Sequence, residues 1–554
     1  MGTKQENIHN TVEKNVDIED IETETCLNIP LLEVGNAKDL YELAESMLAT
    51  VDDNHVNVPG QQHLKFPFKV PVGLSSIRKV YRSGIGPSSS HTIGVQRLSK
   101  KYLKHYEDTY GKHITEFKLR VTLCGSLAAT GEGHFTPQAV ERGFGVPLSD
   151  IELHWRDDIE DDFHTNMIIY ELLDKETNEI IDGPSKGYSI GGGDIVSELS
   201  RAEGSLYEDD FYACYEETTF DDIIKTCYDE GIELWEYIYE REERYRQREM
   251  KRGKEREPIQ EHLRECWHVM RNSITEGAEL EGKMFGFYKR KAKGLFRSYK
   301  RTKTRNILLS AAAYAALESA SSQIPVVTSP TIGSCGVLPS VLFWLESEYN
   351  FEEDEIIKMM ACAGLLCNIF KTCIGVSGAE LGCSVEVGCA VAAASFAVSL
   401  CFYNSSIQTA VRAGVLSLES MIGLSCSPLK GYVLIPCASR NAIGACQAVT
   451  TAELAMCLPS NSQTISFETM LLAIKLVGEK MHNDIKETGR SGMNVAKMVD
   501  EEYKRKKREK RENSIALART ILKSSSPALT PDIPSKDFPI DQEQVAQTLK
   551  VIDE

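Results

Sequence analysis

Three cysteines stand in glycine- or proline-marked surroundings: Ser377-Gly-Ala-Glu-Leu-Gly-Cys383, Gly423-Leu-Ser-Cys426-Ser-Pro428 and Ile435-Pro-Cys437-Ala-Ser-Arg-Asn441. Glycine and proline beside a cysteine favour turns that can aim its sulfur at a shared point. Three thiolates at one point would hold a four-iron cluster or a zinc ion and leave one position open for water or substrate. The long gap from Cys383 to Cys426, and the thirteen other cysteines of the sixteen in the chain, leave plain structural burial as the alternative.

A second constellation is Ser83-Gly-Ile-Gly-Pro-Ser-Ser-Ser-His-Thr92. Its small residues expose backbone N–H groups and three hydroxyls next to an imidazole. Such a loop can hold a carboxylate or phosphate while His91 exchanges a proton near neutral pH, or it can simply cap a helix. A third segment, Val326-Val-Thr-Ser-Pro-Thr-Ile-Gly-Ser-Cys-Gly336, reads as a glycine-rich connection into a helix near Pro339. Its hydroxyls could serve an anion at that helix start.

The elements around these residues follow from composition. The chain has 554 residues, 62 basic and 81 acidic side chains, a net charge of −19, and 42% hydrophobic residues. That is ordinary globular composition with ample length for several folded units. The acidic balance gives no general attraction for nucleic acid or anionic lipid. The opening MGTKQENIHN lacks the apolar run of a secretory signal, so a cytoplasmic location is expected, where clustered cysteines are seldom a disulfide framework.

Residues 1–70 form an acidic leader; the first sixty carry thirteen Asp or Glu against three Lys, a net of −10. Most of it is expected to be disordered, with a short helix near Lys38 to Ala49. Residues 71–205 mix β-branched alternation, as in Phe117-Lys-Leu-Arg-Val-Thr-Leu123, with Gly- and Ser-rich turns, which predicts an α+β domain. Residues 206–305 read as a charged helical connection, with Glu233 to Arg256 a solvated helix. Residues 306–497 are rich in Ala, Gly, Leu, Ser and Cys and predict an all-α domain. From Met359 to Leu400 the only charges are Lys371, Glu380 and Glu386. A membrane span at Val387 to Phe402 is disfavoured, because small residues and nearby Glu suit a helix buried in protein. Residues 498–554 form a basic helix, Lys504-Arg-Lys-Lys-Arg508 interleaved with glutamates, and a flexible tail.

The ordered set Gly84-Ile-Gly-Pro-Ser-Ser-Ser-His-Thr92, Val121-Thr-Leu-Cys-Gly-Ser-Leu127, Gly131-Glu-Gly-His134, Tyr188-Ser-Ile-Gly-Gly-Gly193, Thr328-Ser-Pro-Thr331, Ser377-Gly-Ala-Glu380, the three cysteines, Arg440-Asn-Ala442 and Glu487-Thr-Gly-Arg490 resembles the iron-sulfur L-serine dehydratases in their single-chain form. The resemblance runs from about residue 74 to 497. It implies a 4Fe-4S cluster on Cys383, Cys426 and Cys437, with no pyridoxal phosphate. The free iron would act as a Lewis acid on the carboxylate and β-hydroxyl of L-serine, giving pyruvate and ammonia.

By the same resemblance His91 is the base that removes the α-proton. Ser88, Ser89 and Ser90 help anchor the substrate, with His134, Thr331 and Ser377 as further binding residues and His164 as a pocket candidate. A homodimer is suggested, with no nucleic-acid or membrane partner.

The chain departs from the family pattern at Pro137, Ile332, Cys373 and Gly375, and in Leu317-Glu-Ser-Ala320. No cysteine follows Cys457 to fold back on the cluster. The departures keep two other readings open: a lyase acting on another small amino acid such as cysteine, and a catalytically silent amino-acid-binding relative.

Overall fold

A computed structural model describes residues 56–58, 61–64, 73–199, 213–459 and 461–524. The expected helix near Lys38 to Ala49, the rest of the acidic leader apart from one short hairpin, and the tail beyond Ser524 lie outside the described residues. That hairpin, Val56–Val58 paired antiparallel with Gln61–Leu64, belongs to a separate unit ending at Pro67.

The sequence after Phe68 builds an α+β part and then an all-helical part. Alternation in Lys118–Cys124 (β1) turns Leu119, Val121 and Leu123 into the core, as a strand with period two requires. β1 lies between Ile151–Arg156 (β2), which is parallel to it, and Met167–Leu173 (β3), which is antiparallel. Ile180–Ser189 (β4) and Ile195–Ser197 (β5) continue the sheet, whose order is β2-β1-β3-β4-β5.

Helix α1, Ile93–Tyr110, places Val95, Leu98, Tyr102 and Tyr106 three and four residues apart and packs that stripe on the sheet. Gly125–Ala129 (α2) and Thr136–Phe144 (α3) form the connection from β1 to β2. Pro137 sits in the first turn of α3, where a missing N–H costs nothing.

Four helices then lead into the core: Phe220–Glu230 (α4), Leu234–Met250 (α5), Ile259–Glu279 (α6) and Ala292–Thr302 (α7). The solvated helix expected at Glu233 to Arg256 differs from what forms. α5 buries one face through Leu234, Tyr237, Ile238 and Tyr245, and its fully buried Glu242 accepts from Ser76 Oγ at 2.7 Å, Ile77 N at 2.8 Å and Tyr215 OH at 2.8 Å. Charge alternation hid this face because a carboxylate with three donors tolerates burial.

The remaining helices are Arg305–Ala320 (α8), Val337–Tyr349 (α9), Glu353–Ile374 (α10), Gly378–Leu381 (α11), Val387–Ala397 (α12), Ile407–Glu419 (α13), Cys437–Cys457 (α14), Phe467–Lys480 (α15) and Gly492–Ser524 (α16). All eleven residues of α12 are buried against α9, α10, α13 and α14. Its run of Ala, Gly and Cys permits close approach from every side. Glu353–Ile374 and Cys383–Phe402 are long and apolar enough to cross a bilayer, yet 78% of the most apolar 18-residue stretch of each is buried inside the protein. That is the condition of core helices.

The two parts are tied by Gly191-Gly-Gly193. All three glycines have positive φ, and Gly191 bridges Val376 just beyond α10. A Cβ on Gly191 would lie 3.0 Å from Ser377 N and from the Val376 carbonyl, so the chain passes there only as glycine. Asp194 anchors the crossing, with Oδ1 2.6 Å from Arg82 and Oδ2 2.6 Å from Lys371.

Candidate active site

The serine loop folds as a turn into α1. Ser88 O accepts Thr92 N at 2.9 Å and Thr92 Oγ1 at 2.6 Å, and Ser89 O accepts Gly94 N at 3.0 Å. Ser88, Ser89, Ser90 and His91 are all buried. His91 Nε2 lies 3.0 Å from Thr130 Oγ1 and 3.3 Å from Ser126 O, while Thr130 Oγ1 itself donates to Ser126 O at 3.0 Å. Acceptors around Nε2 make it the protonated nitrogen. The lone pair therefore sits on Nδ1, which receives Ser90 Oγ at 3.1 Å and Ser88 Oγ at 3.3 Å.

His134 stacks on His91, ring centres 4.2 Å apart. Its Nδ1 donates to Thr130 O at 2.9 Å, which turns Nε2 towards Glu487 Oε1 at 3.4 Å; the same oxygen lies 3.8 Å from His91 Nδ1. Burial, then the neighbouring His134, lower the His91 pKa to about 3, against the opposing pull of Glu487. His91 is thus a neutral imidazole. Burial alone would raise Glu487, but the hydrogen bond from His134 and the imidazoles gathered around it hold that carboxyl below its ordinary range. Glu487 was visible in the sequence only as part of a motif; what gives it a role is the convergence of two imidazoles on one buried carboxylate.

Cys383, Cys426 and Cys437 line one narrow cavity of ≈ 10 Å³ with Ser88, His134, Glu386 and Glu487. Each cysteine is placed by its backbone. Gly382 at φ 75° lets Cys383 N reach Leu424 O at 2.7 Å, where a Cβ would come within 2.5 Å of that same oxygen. Cys426 N donates to Ile485 O at 2.8 Å, and Glu487 N donates back to Cys426 O at 2.7 Å, which fixes the carboxylate beside the sulfur. Cys437 opens α14 directly after Pro436, at the positive end of that helix.

Burial pushes the Cys383 thiol up to about 11, and burial with neighbouring anions raises Cys426 and Cys437 further. Arg440, held by a hydrogen bond to Ser425 O at 2.6 Å, opposes this at Cys383 and Cys437. Three buried sulfurs around one cavity, too costly to ionise unaided, fit a metal group that would keep them as thiolates.

Glu386 is the other group that sequence reasoning passed over as a mere charge in an apolar run. Burial, then Glu487, raise it to about 8. Gly378 and Gly333 make room for it: a Cβ there would lie 2.5 Å and 3.1 Å from its carboxylate oxygens. The site therefore pairs an ionised carboxyl with a protonated one, a division of labour suited to proton transfer.

The cavity brings together Ser88, His134 and the three cysteines, with His91 directly behind Ser88. Thr331 joins through its hydrogen bond to Glu386 and its 3.1 Å contact with Ser334 Oγ. Ser90 acts on His91, whereas Ser89 serves the turn through its backbone bond from Gly94. Ser377 is buried beside the glycine crossing, and His164 Nε2 lies 3.4 Å from Glu380.

The departures from the family pattern fall largely on packing positions. Ile332 is fully buried in a small core with Ile93 and Cys335, and Cys373 packs half-buried against the main core. Gly375 ends α10 at φ 80°, ψ 174°, a conformation open to glycine and costly for serine.

Comparison with known proteins gives the same layout. The family model described as "Serine dehydratase beta chain" matches residues 76–146, and "Serine dehydratase alpha chain" matches residues 229–494. An L-serine dehydratase of Streptomyces coelicolor is 29% identical over 462 residues, 76% of this chain and 98% of that protein. One from Haemophilus influenzae is 28% identical, covering 76% of this chain and 99% of its own length. L-serine dehydratase 2 of Escherichia coli is 28% identical, with 76% and 98% covered.

Proposed function

This chain belongs to the serine dehydratase family, and on that premise we propose that it is an iron-sulfur-dependent L-serine ammonia-lyase, converting L-serine to pyruvate and ammonia. The observation that carries the reading is the single cavity lined by three buried cysteines and by Ser88, His134, Glu386 and Glu487, with His91 behind Ser88. Cys383, Cys426 and Cys437 would hold a 4Fe-4S cluster, which when bound supplies a Lewis acid for the substrate's hydroxyl oxygen.

The chain's own residues do the rest. His91 Nδ1, neutral and hydrogen-bonded by two serines, takes the α-proton. The C–H electron pair becomes the Cα–Cβ double bond as the Cβ–O bond breaks. Glu386, which holds a proton in this pocket, delivers it to the departing hydroxide so that water leaves. The aminoacrylate product tautomerises and hydrolyses without the protein. Glu487 steadies the positive charge that the His91 and His134 pair gains during transfer. The enclosed pocket keeps competing water away from these groups.

A cysteine-cleaving lyase would use the same base and cluster and release sulfide. The silent-relative reading loses weight because Ile332, Cys373 and Gly375 serve packing and chain direction. The test is Cys426→Ala: iron content, visible absorption and pyruvate release should fall together. Unchanged iron and an unchanged spectrum in that variant would remove Cys426 from the ligand set and the cluster assignment with it.

A further inference from the structure

His91 stands at the entry to α1, His134 between α2 and α3, and Glu487 between α15 and α16, yet the fold brings one ligand atom from each to a common point. Glu487 Oε1 lies 3.8 Å from His91 Nδ1 and 3.4 Å from His134 Nε2, and the three residues' ligand atoms all lie within 4.8 Å of one another. Ligands of a tetrahedral zinc ion stand roughly 3.4 Å apart, so the two separations from Glu487 are already close to those of a metal site. All three side chains are buried.

Their other partners aim these atoms. His91 Nε2–H is spent on Thr130 Oγ1 and Ser126 O, at 3.0 and 3.3 Å, and His134 Nδ1–H on Thr130 O at 2.9 Å. Metal-ligating imidazoles are held in the same way, by a hydrogen bond from the ring nitrogen that does not face the ion. Glu487 is fixed through its backbone: its N donates to Cys426 O at 2.7 Å and its O accepts Ser126 Oγ at 2.8 Å. With His134 Nδ1 already donating, only a cation, a proton or a metal ion, can join Nε2 to Glu487 Oε1. Solvent is near: a surface groove of ≈ 520 Å³ is lined by Thr130, Gly133 and Thr488, the last two adjacent in the chain to His134 and Glu487.

We propose that His91, His134 and Glu487 form a second metal site, for a divalent ion of the zinc class, and that filling it silences the enzyme. The binding stands on the geometry alone; the silencing rests on the reading of His91 as the base of an amino-acid lyase. The ion replaces the proton between His134 and Glu487, which leaves to solvent, and it occupies the His91 Nδ1 lone pair that would accept the α-proton. Two imidazoles and one carboxylate suit zinc or another late first-row divalent ion, whereas magnesium and calcium ask for a shell of oxygens. A fourth position remains for water. Nitrogen and oxygen ligands distinguish this site from the three cysteines, which offer sulfur.

The test adds zinc chloride to full-length, anaerobically prepared, cluster-containing protein, removes the excess by gel filtration, and records zinc content, iron content and zinc X-ray absorption on the same sample. The expected result is one retained zinc per chain with iron unchanged, nitrogen and oxygen neighbours at about 2.0–2.1 Å, and the outer scattering of imidazole rings. Pyruvate release should fall in proportion to zinc and return on chelation. Glu487→Gln should hold zinc at least about 10- to 100-fold more weakly, since that much is lost when even an outer partner of a ligand is removed. Sulfur neighbours at about 2.3 Å, which mark cysteine ligands, overturn the site, as do a failure to retain zinc and an affinity unchanged in Glu487→Gln. If that variant does not keep its iron, the neighbours of zinc in the wild-type protein decide alone. Undiminished pyruvate release from zinc-filled protein overturns the silencing. The lyase reading fails separately: zinc-free protein with a filled cluster that releases no pyruvate contradicts that reading and leaves the metal site, read from absorption and metal content, intact.

Discussion

The state of His91 makes a kinetic prediction that differs from that of an ordinary histidine. Its pKa falls from 6.5 to about 3, by burial first and by His134 second. At about 1.36 kcal/mol per unit this disfavours the imidazolium by ~5 kcal/mol. The base form therefore persists as pH falls, and kcat/KM for L-serine should show no acid limb near 6.5; protonation of His91 itself comes only near pH 3. Replacing His134 with glutamine removes the second cause and should move that limb to higher pH. His91→Asn should lower kcat/KM by roughly 10²- to 10⁴-fold, about 2.7–5.4 kcal/mol, while iron content and spectrum stay those of the parent. The same shift sets a stability trend. Below pH 6.5 the unfolded chain gains a proton at His91 that the folded protein refuses, so this group's contribution is lost progressively from about 6.5 down to about 3. The assay is initial-rate pyruvate formation between pH 5 and 8. A wild-type limb at 6.5 that vanishes in His91→Asn, or a variant with parental kcat/KM, would refute the reasoning.

Other predictions rest on independent parts of the structure. Gly191→Ala forces an alanine to φ 97° with its Cβ 3.0 Å from the Val376–Ser377 backbone, so thermal unfolding should register a loss of about 1–3 kcal/mol and kcat should drop with the cluster retained. Asp194→Asn leaves Arg82 and Lys371 facing each other without their shared anion; chemical denaturation should report a destabilisation of roughly 3–5 kcal/mol. In that variant Lys371, already lowered to about 8 chiefly by burial, should titrate lower still, detectable by isotope-edited NMR of lysine side chains. Glu386→Gln should slow pyruvate formation most below about pH 8, where the parent carboxyl carries its proton, and progressively less above it, as initial rates across pH 6 to 9 would show, while leaving L-serine binding within a few-fold of the parent.

Much of this was legible before the fold was known, for identifiable physical reasons. Glycine and proline beside Cys383, Cys426 and Cys437 mark turns, and period-two alternation in Phe117 to Leu123 marks a strand, because both signals are local. The all-helical part was legible for the same reason: small-residue helices such as α12 have composition as their signature. Buried charge was not legible. Glu242, Glu386 and Glu487 look in sequence like any solvated acid, and only partners contributed from other elements of the chain, such as Ser76 for Glu242 and His91 for Glu487, make their burial tolerable. The glycine triplet at 191–193 stood out as a motif, but its reason, a backbone crossing between the two parts of the molecule, is long-range.

The central claim, a cluster-dependent lyase acting on L-serine, is tested most directly by one assay on anaerobically purified protein: pyruvate and ammonia released from L-serine, with iron and labile sulfide quantified on the same sample. The account predicts equal amounts of pyruvate and ammonia, at a rate proportional to the filled fraction of a four-iron cluster. A filled cluster with no pyruvate, or pyruvate formation that does not vary with iron content, would contradict it.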